Sequence, residues 1–253
     1  MLMVKVDVLY SAATHPWPTL RENVLRAEAE GFGTAWIFDH LSGTTLSGTR
    51  MLECFTLAGA LAGVTSSIGI GTLVVNAANR PAGVTVAAAA SVQEISDGRF
   101  VFGLGAGAAP GSDWSREHEL VGIALSESMR VRHQRLIDVL DLCDAQWDPD
   151  RDAKWTGFPL PVPRPPVLLG VNSVALATIA GQRCDALNVR LEHPRIAELF
   201  AAARAARAQS ARAGSPLVLN AWTAMTDASL DPGGWAQQRI GELDGDGLIL
   251  VAR

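Results

Sequence analysis

Apolar residues fall into two alternating patterns along the chain. Short runs rich in β-branched and aromatic residues occur at 5–10 (KVDVLY), 34–39 (TAWIFD), 68–75 (IGIGTLVV), 99–104 (RFVFGL), 166–170 (PVLLG), 186–190 (ALNVR), 216–222 (PLVLNAW) and 247–251 (GLILV), and they read as eight strands. Between them, helical spacing predicts helices over 18–30, 51–64, 82–95, 126–146, 173–183, 193–212 and roughly 233–243. Leu20, Val24 and Ala27 line one face of the first, Gly31 follows it as a cap, and Ser126 opens the fourth. Strands so uniformly apolar are covered on both faces, as in a parallel sheet wrapped by helices. An open doubly wound sheet uses the same units but usually stops at fewer strands, with its glycines at one switch point. Here polar or glycine-rich residues follow nearly every strand. The prediction is a single domain over 1–253 with the α/β fold of a TIM (β/α)8 barrel. The chain stops after strand eight with no final helix, so Leu248, Ile249 and Leu250 are expected to form an exposed apolar strip that a homodimer partner covers.

Composition narrows the function. Apolar residues make up 48% and charged residues 19%, as in a globular protein, and a net charge of −5 argues against a nucleic-acid partner. No run reaches membrane-spanning length, and the N-terminus lacks the pattern of a signal peptide. Cys54, Cys143 and Cys184 are far apart, which suggests buried thiols in a reduced, cytoplasmic protein rather than disulfides or a metal site.

Barrel chemistry sits at the C-terminal strand ends. That rule selects His15 and Trp17 after strand one, Asp39 and His40 after two, Asn76 and Arg80 after three, and Gly105, Ala106 and Gly107, then Trp114 and His118, after four. Gly170, Val171, Asn172 and Ser173 follow strand five, just before a helix whose free N–H groups suit a phosphate, although an N-cap is the commoner use of Asn and Ser there. His133 and His193 read as structural. Gly103, Gly105 and Ala108 fit G-x-G-x-x-[GA], but they lie far from the first strand and a turn, PGSDW, follows them, so the motif reads as close packing at a strand end. No carboxylate pair, lysine cluster or metal-ligand set converges. Few acids and bases beside a phosphate cradle suggest a cofactor that does redox work.

Three stretches carry a more specific signal: AEAEGFGTAWIFDHLSG, TSSIGIGTLVVNAANRPAGVTVAAAASVQEISDGRFVFGLGAG and RPPVLLGVNSVALATIAGQRCDALNV. In this order they resemble the luciferase-like monooxygenase superfamily, in particular its branch of oxidoreductases that use the deazaflavin coenzyme F420. The resemblance implies that Asp39 and His40 lie beside the cofactor ring, with His40 as proton donor or partner at the reacting atom. It implies that Leu73 and Val74 form a strand-three bulge with a non-proline cis peptide against the ring, that Asn76 and Gly105 to Gly107 contact it, and that Gly170 to Ser173 hold the phosphate. His15, Trp17, Trp114 and His118 are the candidates for a small-molecule substrate.

The departures matter as well. Ala108 and Ala109 stand where some F420 sugar dehydrogenases carry a glutamate, which argues against that chemistry. The late insertion and final helix common in the family are missing. The expected function is F420-dependent hydride transfer to or from a small organic substrate. The alternatives are an FMN-dependent monooxygenase and a degenerate flavin-binding barrel without turnover.

Overall fold

The computed structural model describes residues 4–252. The chain alternates strand and helix: β1 (Lys5–Tyr10), α1 (Trp17–Ala29), β2 (Thr34–Ile37), α2 (Cys54–Val64), β3 (Gly69–Thr72), β4 (Val75–Asn76), α3 (Ala82–Ile95), β5 (Phe100–Gly105), α4 (Arg116–Leu120), α5 (Met129–Gln146), β6 (Val167–Gly170), α6 (Val174–Arg183), β7 (Ala186–Arg190), α7 (Ile196–Ala208), β8 (Val218–Ala224), α8 (Asp227–Leu230), α9 (Trp235–Glu242) and β9 (Gly247–Ala252). All strand pairings are parallel, in the order β3-β2-β1-β9-β8-β7-β6-β5-β4, and β3 also pairs with β5. The sheet therefore closes. β3 and β4 are two halves of the third barrel strand, so the barrel is eight-stranded, as predicted.

Alternation within each apolar strand explains why both faces are hydrophobic. Leu9, Trp36, Leu73, Leu168, Ala186, Ile249 and Val251 fill the barrel interior. Their neighbours, such as Val8, Ile70, Phe102, Leu187, Leu248 and Leu250, pack outward against the helices. The predicted exposed strip on the last strand is corrected here: Leu248, Ile249 and Leu250 are at most 1% exposed. The cover comes from α9, whose Ala236 and Ile240 are fully buried in the cluster that takes up Leu248 and Leu250. β1 and β9 pair over their whole length, from Lys5↔Gly247 to Tyr10↔Ala252, and complete the wall.

Most boundaries match the periodicity within a few residues. Helix α5 begins at Met129, where the Ser128 side chain accepts from the Val131 N–H, and not at Ser126. The polar segments after β5 and β8 also hold the short helices α4 and α8, which carry no apolar period long enough to predict them.

The third strand is broken by a cis peptide between Leu73 and Val74, as the resemblance implied. Across the break, the Thr72 hydroxyl donates to Gly103 O at 2.8 Å and accepts from Gly103 N–H at 2.9 Å. The backbones approach so closely that a Cβ on Gly103 would strike Thr72 O, and one on Gly105 would lie 2.6 Å from Val74 Cγ2. Close packing of β5 against this bulge thus accounts for its first glycines.

Candidate active site

A cleft of about 480 Å³ opens at the C-terminal mouth of the barrel. The bulge residues Leu73 and Val74, the glycine edge Gly105-Ala106-Gly107, and the loop Gly170-Val171-Asn172-Ser173 all line it, together with Asp39, His40, Asn76, Trp114 and His118. Sequence reasoning therefore brought most of its candidates to one place. Arg80 lies outside the cleft lining, and so do His15 and Trp17. The Ser11–Thr14 turn holds His15 back, with Nδ1 3.0 Å from Ser11 O and the ring edge-on to Tyr10, while Trp17 packs against the main core. Neither lines the cleft.

His40 is oriented by Glu117, a residue the sequence did not single out. Nδ1 of His40 lies 2.9 Å from Glu117 Oε1, and Glu117 Oε2 accepts from the backbone N–H groups of Leu41 (3.0 Å) and Ser42 (2.9 Å). Burial alone raises the carboxyl's pKa, but the hydrogen bonds from His40, Ser42 and Leu41 outweigh it and hold Glu117 below the ordinary glutamate value. An ionised carboxylate accepts only, so Nδ1 carries the proton of the neutral ring and Nε2 carries the lone pair. Trp114 leans over the imidazole with ring centroids 5.1 Å apart, and Phe38 meets it edge-on at 5.8 Å.

Asp39 is 5% exposed and its carboxylate is fully engaged. Arg80 donates to both oxygens at 2.8 Å, while Asn76 N–H and Asn79 Nδ2 donate to Oδ2 at 2.9 and 3.1 Å. Arg80 also pairs with Glu53, the N-cap of α2. This cluster ties the end of β2 to the turn after the bulge. His118, 1% exposed, closes the same network: Nδ1 faces Trp114 O, and Nε2 lies between Asn76 Nδ2 and Asn79 Oδ1 at 2.9 and 2.8 Å. It braces the wall of the cleft.

Other contributors were not legible beforehand. His133, which the sequence assigned to structure, faces the cleft with Met129 and Arg132 from the first turn of α5. Their spacing at i, i+3 and i+4 puts them on one helix face, a pattern visible in the sequence once the helix start is known. Asn188 and Trp222 enter from β7 and β8. Among the described residues, no group of three or more His, Cys, Asp or Glu is arranged to hold a metal ion.

The cleft fits a flat, tailed cofactor. Gly107 has φ +81°, and a Cβ there would run into the Asn76 carboxamide, so the β5 edge presents bare backbone. A Cβ on Gly170 would stand 3.1 Å from Val74, so the floor is equally bare on the β6 side. The start of α6, with Asn172 and Ser173, lines the same cleft as Arg132 and His133 of α5, a set of groups suited to an anion. Ser173 itself caps α6, its Oγ accepting from the Leu176 N–H at 3.4 Å.

Comparisons with known proteins agree with this geometry. Residues 1–228 match the family described as luciferase-like monooxygenase. A 5,10-methylenetetrahydromethanopterin reductase of Methanolobus tindarius is 27% identical over 189 residues, which is 73% of this chain and 54% of that protein, so the chain spans about half the length of this relative. Among solved structures, an F420-dependent secondary alcohol dehydrogenase in complex with an F420-acetone adduct has the same fold at a TM-score of 0.74, with 14% identity over 99% of this chain and 93% of that one. A monooxygenase from Streptomyces bottropensis gives 0.72, with 16% identity over 98% and 91%.

Proposed function

Because the chain belongs to the luciferase-like monooxygenase family, we propose that it is an oxidoreductase that binds coenzyme F420 in the barrel mouth and transfers a hydride to or from a small organic substrate. The observation that carries this reading is His40, held through Nδ1 by a buried glutamate, with Nε2 left for the cleft that the bulge and bare glycine edges shape. The similarity to a methylenetetrahydromethanopterin reductase supports the choice of F420, since a reductase of that kind from Methanopyrus kandleri is described as dependent on coenzyme F420.

Bound deazaflavin supplies the carbon that accepts or gives the hydride. The chain supplies the rest. His40 Nε2 takes the proton that a substrate hydroxyl loses as hydride leaves its carbon, and returns it in the reverse direction. Glu117 keeps the imidazole in the required tautomer and stabilises it when it is doubly protonated. Asp39 acts as a positioning residue, because both of its oxygens are committed to Arg80 and the turn after the bulge. Trp114 walls the substrate side above His40. Gly170 to Ser173, with Arg132 and His133, hold the phosphate end.

Mixing the protein with F420 and a panel of small alcohols tests this. Loss of the oxidised deazaflavin absorbance without oxygen uptake is the expected result. Oxygen consumption with reduced FMN, and none of the F420 reaction, would make the protein a flavin monooxygenase instead.

A further inference from the structure

Asn188 lines the cleft and carries an unanswered hydrogen-bond donor. The residue is 3% exposed, and its Nδ2 is buried without a hydrogen-bond partner among the described residues. Buried side-chain polar atoms are nearly always paired, so each exception calls for a reason. Similar unpaired atoms occur on Asp7, Thr45, Gln146, Trp147 and Arg207, but none of those residues lines the cleft.

From this we infer that Asn188 grips the pyrimidine edge of the bound ring, a reading that rests on the cofactor assignment above. Three observations support it. First, Asn188 lies in register with Gly170 of β6, beside the bare floor under Val74. Second, β7 stands four strands from β2 around the eight-stranded barrel, so Asn188 and His40 enter the cleft from opposite walls. A ring whose reacting carbon is served by His40 turns a non-reacting part towards Asn188. Third, the chemistry is complementary. The pyrimidine edge of a flavin or deazaflavin presents carbonyl, N–H and carbonyl in a row, and a carboxamide offers a donor and an acceptor at matching spacing. A phosphate or carboxylate tail would call for a cation, which Arg132 of α5 provides. In the free protein the donor is desolvated for nothing, so the site is arranged for its ligand at a cost to stability.

The test uses Asn188→Leu and Asn188→Asp, with two probes: F420 and its tail-free chromophore, 8-hydroxy-5-deazariboflavin. Fluorescence titration gives affinity, and thermal unfolding of the ligand-free protein gives stability. Both variants should bind both probes at least tenfold more weakly, about 1.4 kcal/mol. Asn188→Leu should at the same time raise the ligand-free midpoint by about 2–4 °C, because it removes an unpaired polar group. A lowered midpoint with unchanged affinity would make Asn188 an ordinary structural residue. Weaker binding of F420 with full binding of the tail-free probe would move the contact to the tail and overturn the proposal. If the parent protein binds neither probe, the cofactor reading fails and takes this one with it. Unchanged binding by both variants of a parent that does bind overturns this proposal alone.

Discussion

A neutral imidazole carries one proton, and at His40 the Glu117 carboxylate 2.9 Å from Nδ1 determines where it sits. Removing the ring by His40→Ala should lower turnover by roughly 10²–10⁴-fold while F420 affinity changes far less, because a proton carrier acts mainly in the transition state. Steady-state kinetics beside a binding titration would check this, and equal loss of both would make His40 a binding residue. Glu117→Gln should resemble it in kind, since an amide cannot accept from His40 and from the Leu41 and Ser42 N–H groups with both of its ends. Ser173 allows a cleaner test of the phosphate end. Ser173→Asp keeps a good N-cap for α6 but adds a negative charge beside the proposed phosphate, so F420 should bind at least tenfold more weakly. Ser173→Ala should cost about 1 kcal/mol of stability and leave binding nearly unchanged. At this scale the sequence displayed His40, Asp39 and the glycine edge, because strand ends can be counted. Glu117 stayed hidden, because its partner lies 77 positions away and nothing local marks it.

Elements were legible where an apolar period ran long enough, as in α3 over Ala82–Ile95, and illegible where backbone geometry is settled by a distant neighbour. The break between β3 and β4 illustrates the limit: Thr72 and Gly103 answer each other's backbone needs across strands, and no pattern within TLVVN states this. A second long-range clamp yields a stability prediction. Glu28 of α1 accepts at one oxygen from the backbone N–H groups of Ser66, Ser67 and Ile68 and from the Ser67 hydroxyl, which fastens α1 to the turn before β3. Burial pushes its pKa up, but these donors outweigh that effect and pull it from 4.5 to about 2. A depressed acid stabilises the fold fully above its unfolded value, and the contribution fades as pH falls from 4.5 through about 2. Glu28→Gln should therefore cost about 1 kcal/mol at neutral pH, a value kept low because water reaches the carboxylate. Urea unfolding should show the gap between variant and parent closing as pH drops towards 2. A gap that stays constant with pH would mean that the charge on Glu28 does not matter.

For the whole molecule, the closed barrel was legible in the order of apolar runs together with their count of eight and the polar or glycine-rich residues that follow nearly every strand. The misreading came at the seam. The strip was expected to be bare because no helix follows the last strand, yet α9, which precedes it, covers it with two buried side chains, Ala236 and Ile240. The argument for a two-fold partner at an open edge falls with that strip. The cleft, by contrast, is a property of the assembled barrel: β2, the bulge, β5, β6, β7, β8 and the start of α5 each contribute one wall. The central claim, that this assembled mouth is a deazaflavin site, is tested most directly by titrating the purified protein with F420 and with FMN, each followed by fluorescence. Saturable binding of F420, tighter than that of FMN, is the predicted result. Equal affinities, or a preference for FMN, would contradict it.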